Sequence, residues 1–546
     1  MKLVPALFAL LLIAAAPARE PAPVDYLVTP EVGADGLERI RITIRLRGDA
    51  DGETGLALPS RWAGSDRLHE RIERLSVAGG TIAETGDPAR RLIRHAPGAA
   101  LSVSYRIGPS GADPDSGYEK ARPVVRPGWF YVHGEGAFAV PEGRADAPAR
   151  FRMAVTPAGW RWTSNIDLRP GRGLTVDHVV ESILIGGTDV RIVTRNVGGQ
   201  PLRIALRGRW TFTDTAMADG LARIAAAYND YMRTAAAPYF VSLVPLGGAE
   251  TGAVSFGGSG RGGGFALAST ANVGLDDFLP TLAHEYGHRW FGRALGPIPD
   301  PDAPDYWFTE GFNDHVAALA LVRAGIWAPA QYAERLNMVL LRYASSPART
   351  LANGALAERF WSDPDAQQMP YDRGHLFARA IDRDGDVRRA LLAMAAGSGF
   401  PAAETQGPRF VRAAALPPEQ TASVLAGEPI ALPADLLGPC GRIEWAEQPI
   451  YATGYTVANR GEGRYFETVA EGSPAWQAGL RPGMRYLRRV SFRPGDSRVP
   501  IVMRVADAAG ERELSWRPEG PTMVRFQRLV LVPDAGDACR NLLRGT

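Results

Sequence analysis

The stretch TLAHEYGHRWFG (281–292) decides how the rest of the chain is read. His284 and His288 are four residues apart, so on a helix they project from one face. Two imidazoles so placed can bind one Zn²⁺, and Glu285 beside them can act on a zinc-bound water. The surrounding periodicity predicts a helix over 276–293. Asp276 and Asp277 are its expected caps, and Pro280 falls in or near the first turn, where proline is tolerated. Gly287 weakens helix propensity by ~1 kcal/mol, so tertiary packing must hold the helix.

A zinc hydrolase needs a third protein ligand and an open position. The segment DYWFTEGFNDHVAALAL (305–321) places Glu310 in an apolar run, where a carboxylate requires a partner. Asp314 lies four residues on, on the same helical face. It is placed to accept the free N–H of a zinc histidine and so fix its tautomer. His315 is an alternative ligand, but a neighbouring residue points about 100° away around a helix.

Around this centre the chain divides. From Asp25 to about Arg209, stretches such as ERIRITIRLRG (38–48) alternate apolar and charged residues, the period of a half-buried strand. His69, His95, His133 and His178 are scattered through this region and are expected to be structural. Helical spacing appears at 215–236, 305–324, 329–344, 371–382 and 386–397. A buried strand is expected at 239–246, followed by the glycine-rich GGSGRGGGFALAST (257–270). The Pro- and Ala-rich 402–439 reads as a linker. From Cys440 the pattern is β-like again, and Ser473-Pro474 suits a helix start with serine as cap.

The order of these motifs resembles that of the gluzincin metallopeptidases, and most closely the glycyl aminopeptidase family. H-E-x-x-H-x-W is matched by His284, Glu285, His288 and Trp290, and E-G-F by Glu310, Gly311 and Phe312. RPVVRPGWFYVHGEGAFAVPEG (122–143) is similar to the late part of that family's amino-terminal domain, and ETVAEGSPAWQAGLRPGMRYLRRV (467–490) resembles the core of a PDZ domain.

The resemblance implies a multidomain α+β chain. An amino-terminal antiparallel β domain (19–212) would precede a thermolysin-like mixed α/β catalytic domain (213–435) and a PDZ-like β domain (440–546). It also implies one zinc ion per chain on His284, His288 and Glu310, with Glu285 as general base. In PYDRGHLFARAID (370–382), a P-Y-x-x-G segment places Tyr371 where related enzymes carry a donor to the oxyanion. One departure concerns a G-G-L-E-H-like edge strand whose glutamate binds the substrate's free amine. The equivalent stretch is taken as Gly263-Gly264-Phe265-Ala266-Leu267, so Ala266 stands in place of the acid. That strand could still pair with a peptide backbone.

Composition sets the remaining expectations. With 61 basic and 59 acidic residues in 546, the net charge of +2 leaves no electrostatic footprint for nucleic acid. Lys2, the apolar Leu3–Ala16 and Ala16-Pro17-Ala18 read as a signal peptide over 1–18, which implies a periplasmic or secreted protein. No later segment has the ~20 uninterrupted apolar residues of a membrane span. The only cysteines, Cys440 and Cys539, are expected to form one disulfide in an oxidising compartment.

Peptides or proteins are the expected substrates. A carboxy-terminal peptide is the expected ligand of the PDZ-like module, with YATGYT (451–456) as its carboxylate-binding loop; a purely structural module is the alternative. Two other readings stand beside the peptidase. One is a catalytically decayed, exported PDZ scaffold, and the other is a zinc hydrolase of non-peptide substrates.

Overall fold

The computed structural model describes residues 22–544 except 63–64, 111–121, 170–172, 248–253, 461–462 and single positions 262, 293, 300, 384, 398, 494 and 534. The signal peptide expected over 1–18 lies outside the described residues.

The amino-terminal region is built of short sheets, as its period-two patterning requires. Strands Val24–Gly33, Gly36–Arg47, Ala100–Ile107 and Ile72–Ala78 lie side by side, each antiparallel to the next. Ala149–Met153 adds a parallel edge strand. The alternate residues Tyr26, Val28, Ile40, Ile42 and Ile44 share one apolar core. A second sheet contains Trp129–His133 and Ile183–Gly187 and turns its other face toward the catalytic region.

The central sheet begins earlier than the sequence boundary at 212 suggests. The hairpin β1 (Arg191–Val197) and β2 (Gln200–Leu206) joins the catalytic strands instead of the amino-terminal sheets. Its alternation is that of the domain before it, so patterning alone could not separate the two. After α1 (Asp214–Tyr231) come β3 (Tyr239–Leu246), β4 (Phe256–Arg261) and β5 (Gly264–Thr270). The strand order is β1-β2-β3-β5-β4, with β2, β3 and β5 parallel and β4 antiparallel at one edge.

One face of this sheet, carrying Phe265, Val241 and Ile204, packs into the helical core. The other, with Phe240, Ala266 and Ala268, packs against Trp129, Tyr131, Ile183 and Ile185. The helices are α2 (Leu275–Phe291), α3 (Asn313–Arg323), α4 (Pro329–Ser345), α5 (Asn353–Arg359), α6 (Pro364–Ile381) and α7 (Asp386–Ala395).

Segment 402–439 does not run as a linker. It forms α8 (Gln406–Ala413) and α9 (Pro418–Leu425). Phe410 is fully buried between Phe308 and Phe312, with ring centroids 5.2 and 4.6 Å away.

The carboxy-terminal part is two units. A long ribbon pairs β6 (Gly441–Tyr451) with β12 (Glu519–Leu531) and packs on α4. The five strands β7 to β11 form an antiparallel sheet with its own core. They are Tyr455–Arg460, Gly463–Val469, Arg485–Ser491, Ile501–Asp507 and Gly510–Trp516. The short α10 (Pro474–Gln477) starts at Pro474, and Ser473 Oγ accepts the Trp476 N–H at 3.2 Å. Cys440 at the base of the ribbon is disulfide-bonded to Cys539 in α11 (Asp537–Arg544). Both cysteines, with Ile443, Leu529 and Leu543, belong to the core of the catalytic helices. The expected unit 440–546 is therefore divided between that core and a separate sheet.

Among the described residues, no helix is long and apolar enough to cross a membrane.

Candidate metal centre

Helix α2 is capped by Gly274, with Asp276 and Asp277 inside its first turn and not at its cap. Carboxylates there favour the helix dipole. Pro280 lies one turn further in. Gly287 answers a packing need: a Cβ there would stand 1.9 Å from Asn313 Oδ1 and 2.6 Å from the Tyr228 hydroxyl. The missing side chain lets the start of α3 settle against α2, where Asn313 Nδ2 donates to the His284 carbonyl at 2.9 Å.

Glu310 sits in a wide turn, Trp307–Phe312, wound as a π-helix directly before α3. Such turns recur at functional sites because they offset one side chain from the helical repeat. Here the offset brings Glu310 Oε2 to 3.1 Å from His284 Nε2 and 3.5 Å from His288 Nε2. The two Nε2 atoms are 3.1 Å apart. Tetrahedral ligation at about 2.0–2.1 Å would set ligand atoms about 3.3 Å apart, so the spacing suits one small cation.

The hydrogen bonding agrees. His284 Nδ1 lies 2.8 Å from Asp314 Oδ1. A carboxylate only accepts, so Nδ1 carries the proton and Nε2 of the neutral ring presents a lone pair. That lone pair faces the Glu310 carboxylate and the other imidazole, an arrangement that repels itself without positive charge at its centre. Without a cation at the centre a second proton on Nε2 plays that part: burial disfavours a charged His284, yet the bonds to Asp314 and Glu310 outweigh it and raise its pKa well above the usual range. Glu310 is held well below the ordinary carboxylate range: burial raises it, and the two histidines more than reverse this. Among the described residues, His284, His288 and Glu310 are the one cluster able to hold a metal, and the donor set is compatible with zinc.

Glu285 is buried on α2, its carboxylate against the edge strand β4. A Cβ on Gly258 would be 2.2 Å from Glu285 Oε1, and one on Gly260 would be 2.6 Å from His288 Cβ. Tyr371 is in the middle of α6, not at a helix start. Its ring lies 6.0 Å from that of His284 at an interplanar angle of 29°. Burial, and then the charges of Glu310, Asp314 and Glu285, push its pKa well above 10, so its hydroxyl remains a donor.

His315 is turned away from the centre. It is fully buried and lies 3.0 Å from Asp382 Oδ2.

The strand assigned to substrate requires correction. Gly264, Phe265 and Ala266 lie in β5, which is paired on both sides, with Ala266 opposite Ser242 and Ser259. Ala266 is buried against the amino-terminal sheet, on the face away from the helices. Gly263 is in the turn before β5. None of the four presents an edge to a substrate. The edge strand is β4, FGGSGR, and it too carries no acid. The expected amine-binding carboxylate is thus absent from the edge, though not because of Ala266.

Sequence reading missed several residues at the centre. Tyr306 packs 4.5 Å from the Phe360 ring, and burial, Asp302 and Glu310 raise its pKa strongly. It was hidden in an aromatic run. Arg335, which pairs with Asp314, and Arg342, which pairs with Asp372, resembled ordinary charges on helix surfaces.

Residues 277–360, from α2 through α5, match the sequence profile of the M61 glycyl aminopeptidase family. No curated protein matches the chain. Among solved structures, an aminopeptidase N family protein from Idiomarina loihiensis is similar at a TM-score of 0.69 and 16% identity, covering 95% of this chain and 100% of that one. An M1 zinc metallopeptidase from Deinococcus radiodurans is similar at a TM-score of 0.47 and 18% identity, over 76% and 94% of the two chains.

The fold is therefore that of the aminopeptidase N-like structures, and the donor set of the centre is of the gluzincin class. Within that class, its zinc-helix segment is of the M61 glycyl aminopeptidase type.

Proposed function

We propose that the protein is an exported peptidase that hydrolyses peptide bonds at the His284–His288–Glu310 centre. The observation that carries this reading is the convergence of those three ligand atoms with Glu285 and Tyr371 beside the outermost strand of the sheet. Zinc held there supplies Lewis acidity and a coordinated water of lowered pKa.

Glu285 takes the proton of the attacking water and returns it to the leaving amine. Tyr371 donates to the carbonyl oxygen as negative charge develops, a contribution of a few kcal/mol in comparable sites. Asp314 keeps His284 in the tautomer that points Nε2 inward. The backbone of β4 pairs with an extended substrate by β-augmentation.

Because β4 lacks a carboxylate, a cationic amino terminus finds no ion pair there. This favours acceptance of peptides with blocked amino termini. The deciding experiment is cleavage of a peptide library with free and acetylated amino termini, with Glu285→Gln as control. Equal cleavage supports the reading; loss on acetylation would make the enzyme a strict aminopeptidase with its acid elsewhere.

The absent edge acid also motivates the alternative of a decayed scaffold. One zinc per chain without turnover of any peptide would favour that alternative. Hydrolysis of non-peptide substrates alone would favour the third reading. The β7–β11 sheet is proposed as a PDZ-like module whose ligand is a carboxy-terminal peptide. A groove of about 650 Å³ along Tyr451–Thr456 and Thr468–Ala470 supports that, and it includes the YATGYT loop. Export is supported by the amino-terminal signal pattern and the disulfide. Cell fractionation tests it.

A further inference from the structure

Helix α4 touches both sides of the reaction centre without contributing to it directly. Arg335 Nη2 donates to Asp314 Oδ2 at 3.0 Å, while Asp314 Oδ1 is bonded to His284. Seven residues on, Arg342 Nε donates to Asp372 Oδ2 at 2.7 Å, and its Nη2 bonds the other oxygen. Asp372 is fully buried and adjoins Tyr371 on α6. Residues seven apart differ by only about 20° around a helix. The two guanidinium groups therefore leave α4 from one face, one toward the ligand side and one toward the oxyanion side.

The neighbouring face of α4 is held by the carboxy-terminal ribbon. Asn337 donates to the Leu529 carbonyl at 3.0 Å and accepts its N–H at 2.6 Å, and Glu334 pairs with Arg493 in the loop after β9 of the separate sheet. The helix is thus anchored from behind, and its arginines have a fixed origin.

We propose that Arg335 and Arg342 are positioning residues for the hydrolytic site, acting on His284 through Asp314 and on Tyr371 through Asp372. A carboxylate that accepts through one oxygen alone can swivel about its last torsion. A second donor on the other oxygen removes that freedom, and with it the swing of the imidazole that the first oxygen holds. The fork on Asp372 fixes the rotation of α6 about its axis at the residue next to Tyr371. A planar, two-pronged guanidinium suits both tasks better than an ammonium.

The inference rests on the zinc-site reading above, and the test separates the two. Full-length wild type, Arg335→Met, Arg335→Lys, Arg342→Met and Arg342→Lys are loaded with Co²⁺. Metal affinity by chelator competition, the visible d–d band, kcat and KM are then measured. Arg335→Met is expected to weaken metal binding about tenfold and to shift the band, since partners behind a ligand typically carry effects of that size. Arg335→Lys, a single-pronged donor, is expected to give a smaller shift of the same sign.

Arg342→Met is expected to leave affinity and band unchanged and KM within about twofold, with kcat down about tenfold by the same scale. Arg342→Lys is expected to recover part of that loss. Wild-type affinity and band in Arg335→Met, or wild-type kcat in Arg342→Met, would overturn the corresponding role. If a methionine variant fails to fold, a lysine variant indistinguishable from wild type overturns that role instead. A wild-type protein that binds no Co²⁺ would overturn the metal site itself, and this inference with it.

Discussion

The backbones of Gly311 and Gly374 are in contact: a Cβ on Gly311 would stand 2.4 Å from the Gly374 Cα, and one on Gly374 would stand 1.8 Å from the Trp307 carbonyl oxygen. The glycine of E-G-F and the glycine of P-Y-x-x-G are thus two halves of one crossing. It sets Glu310 on one side and Tyr371 on the other. Gly374→Ala must push α6 off the Glu310 turn. Overpacking of this kind typically costs 1–3 kcal/mol. Urea unfolding is expected to show at least that loss, and kcat is expected to fall more than KM rises. An alanine variant with wild-type kcat would mean that the crossing does not set the two side chains.

Tyr371→Phe keeps the ring and removes only the hydroxyl. If that hydroxyl meets the oxyanion, kcat drops by about 10²–10³, the range for one such donor. KM and zinc content are expected to stay near wild type. A drop below tenfold would leave Tyr371 as a packing residue.

Gly258 lies on the carboxylate of Glu285. Gly258→Val is expected to displace Glu285 and to abolish most turnover while zinc still binds, because the three ligand atoms lie beyond the clash. Zinc analysis beside a peptide assay checks this. Simultaneous loss of zinc would show that β4 also supports the ligands.

The core behind the centre is expected to be sensitive to acid. Burial lowers the pKa of His315 in spite of Asp382, and lowers that of His375 well below 6.5. Neither ring nitrogen of His375 has a hydrogen-bond partner among the described residues. An unfolded chain takes up protons on such histidines near pH 6.5, while the folded chain does not. Stability is therefore full above that pH and declines as pH falls. Each histidine contributes up to about 1.4 kcal/mol per pH unit. Urea unfolding of wild type and His375→Leu between pH 7.5 and 5 is expected to differ in slope by about that amount. Equal slopes would mean that His375 protonates in the folded state.

The Cys440–Cys539 bond closes a loop of 99 residues around the ribbon and its sheet. In the chain-entropy account a loop of that length is worth about 4.7 kcal/mol. A Cys440→Ser/Cys539→Ser double variant is expected to melt at lower temperature yet to cleave peptides normally at 25 °C. Loss of activity in the still-folded variant would show that the ribbon must be stapled for α4 to hold its place.

Much of the centre was legible because its chemistry is local. His284, Glu285 and His288 occupy one helical turn, and Glu310 and Asp314 repeat the four-residue spacing. What lay beyond reach was relational. In GGSGRGGGF the glycines supply no side-chain alternation, so nothing in the pattern told an edge strand from its inner neighbour. The hairpin at 191–206 alternates like the domain before it and reveals its sheet only by pairing with β3. Phe410, in a stretch rich in proline and alanine, gave no hint that α8 would fill the gap between Phe308 and Phe312. Arg335 and Arg342 lie on a helix of mixed polarity, where charges are usually solvated.

An entering chain laid along β4 meets amides and carbonyls but, at positions 258 and 260, no side chains. A rail so bare grips every residue alike. Selectivity in the proposed reaction would have to arise from side chains elsewhere around the centre. An engineer seeking a new preference would have more to gain by changing those side chains than by touching the rail, because the Glu285 carboxylate rests directly on Gly258.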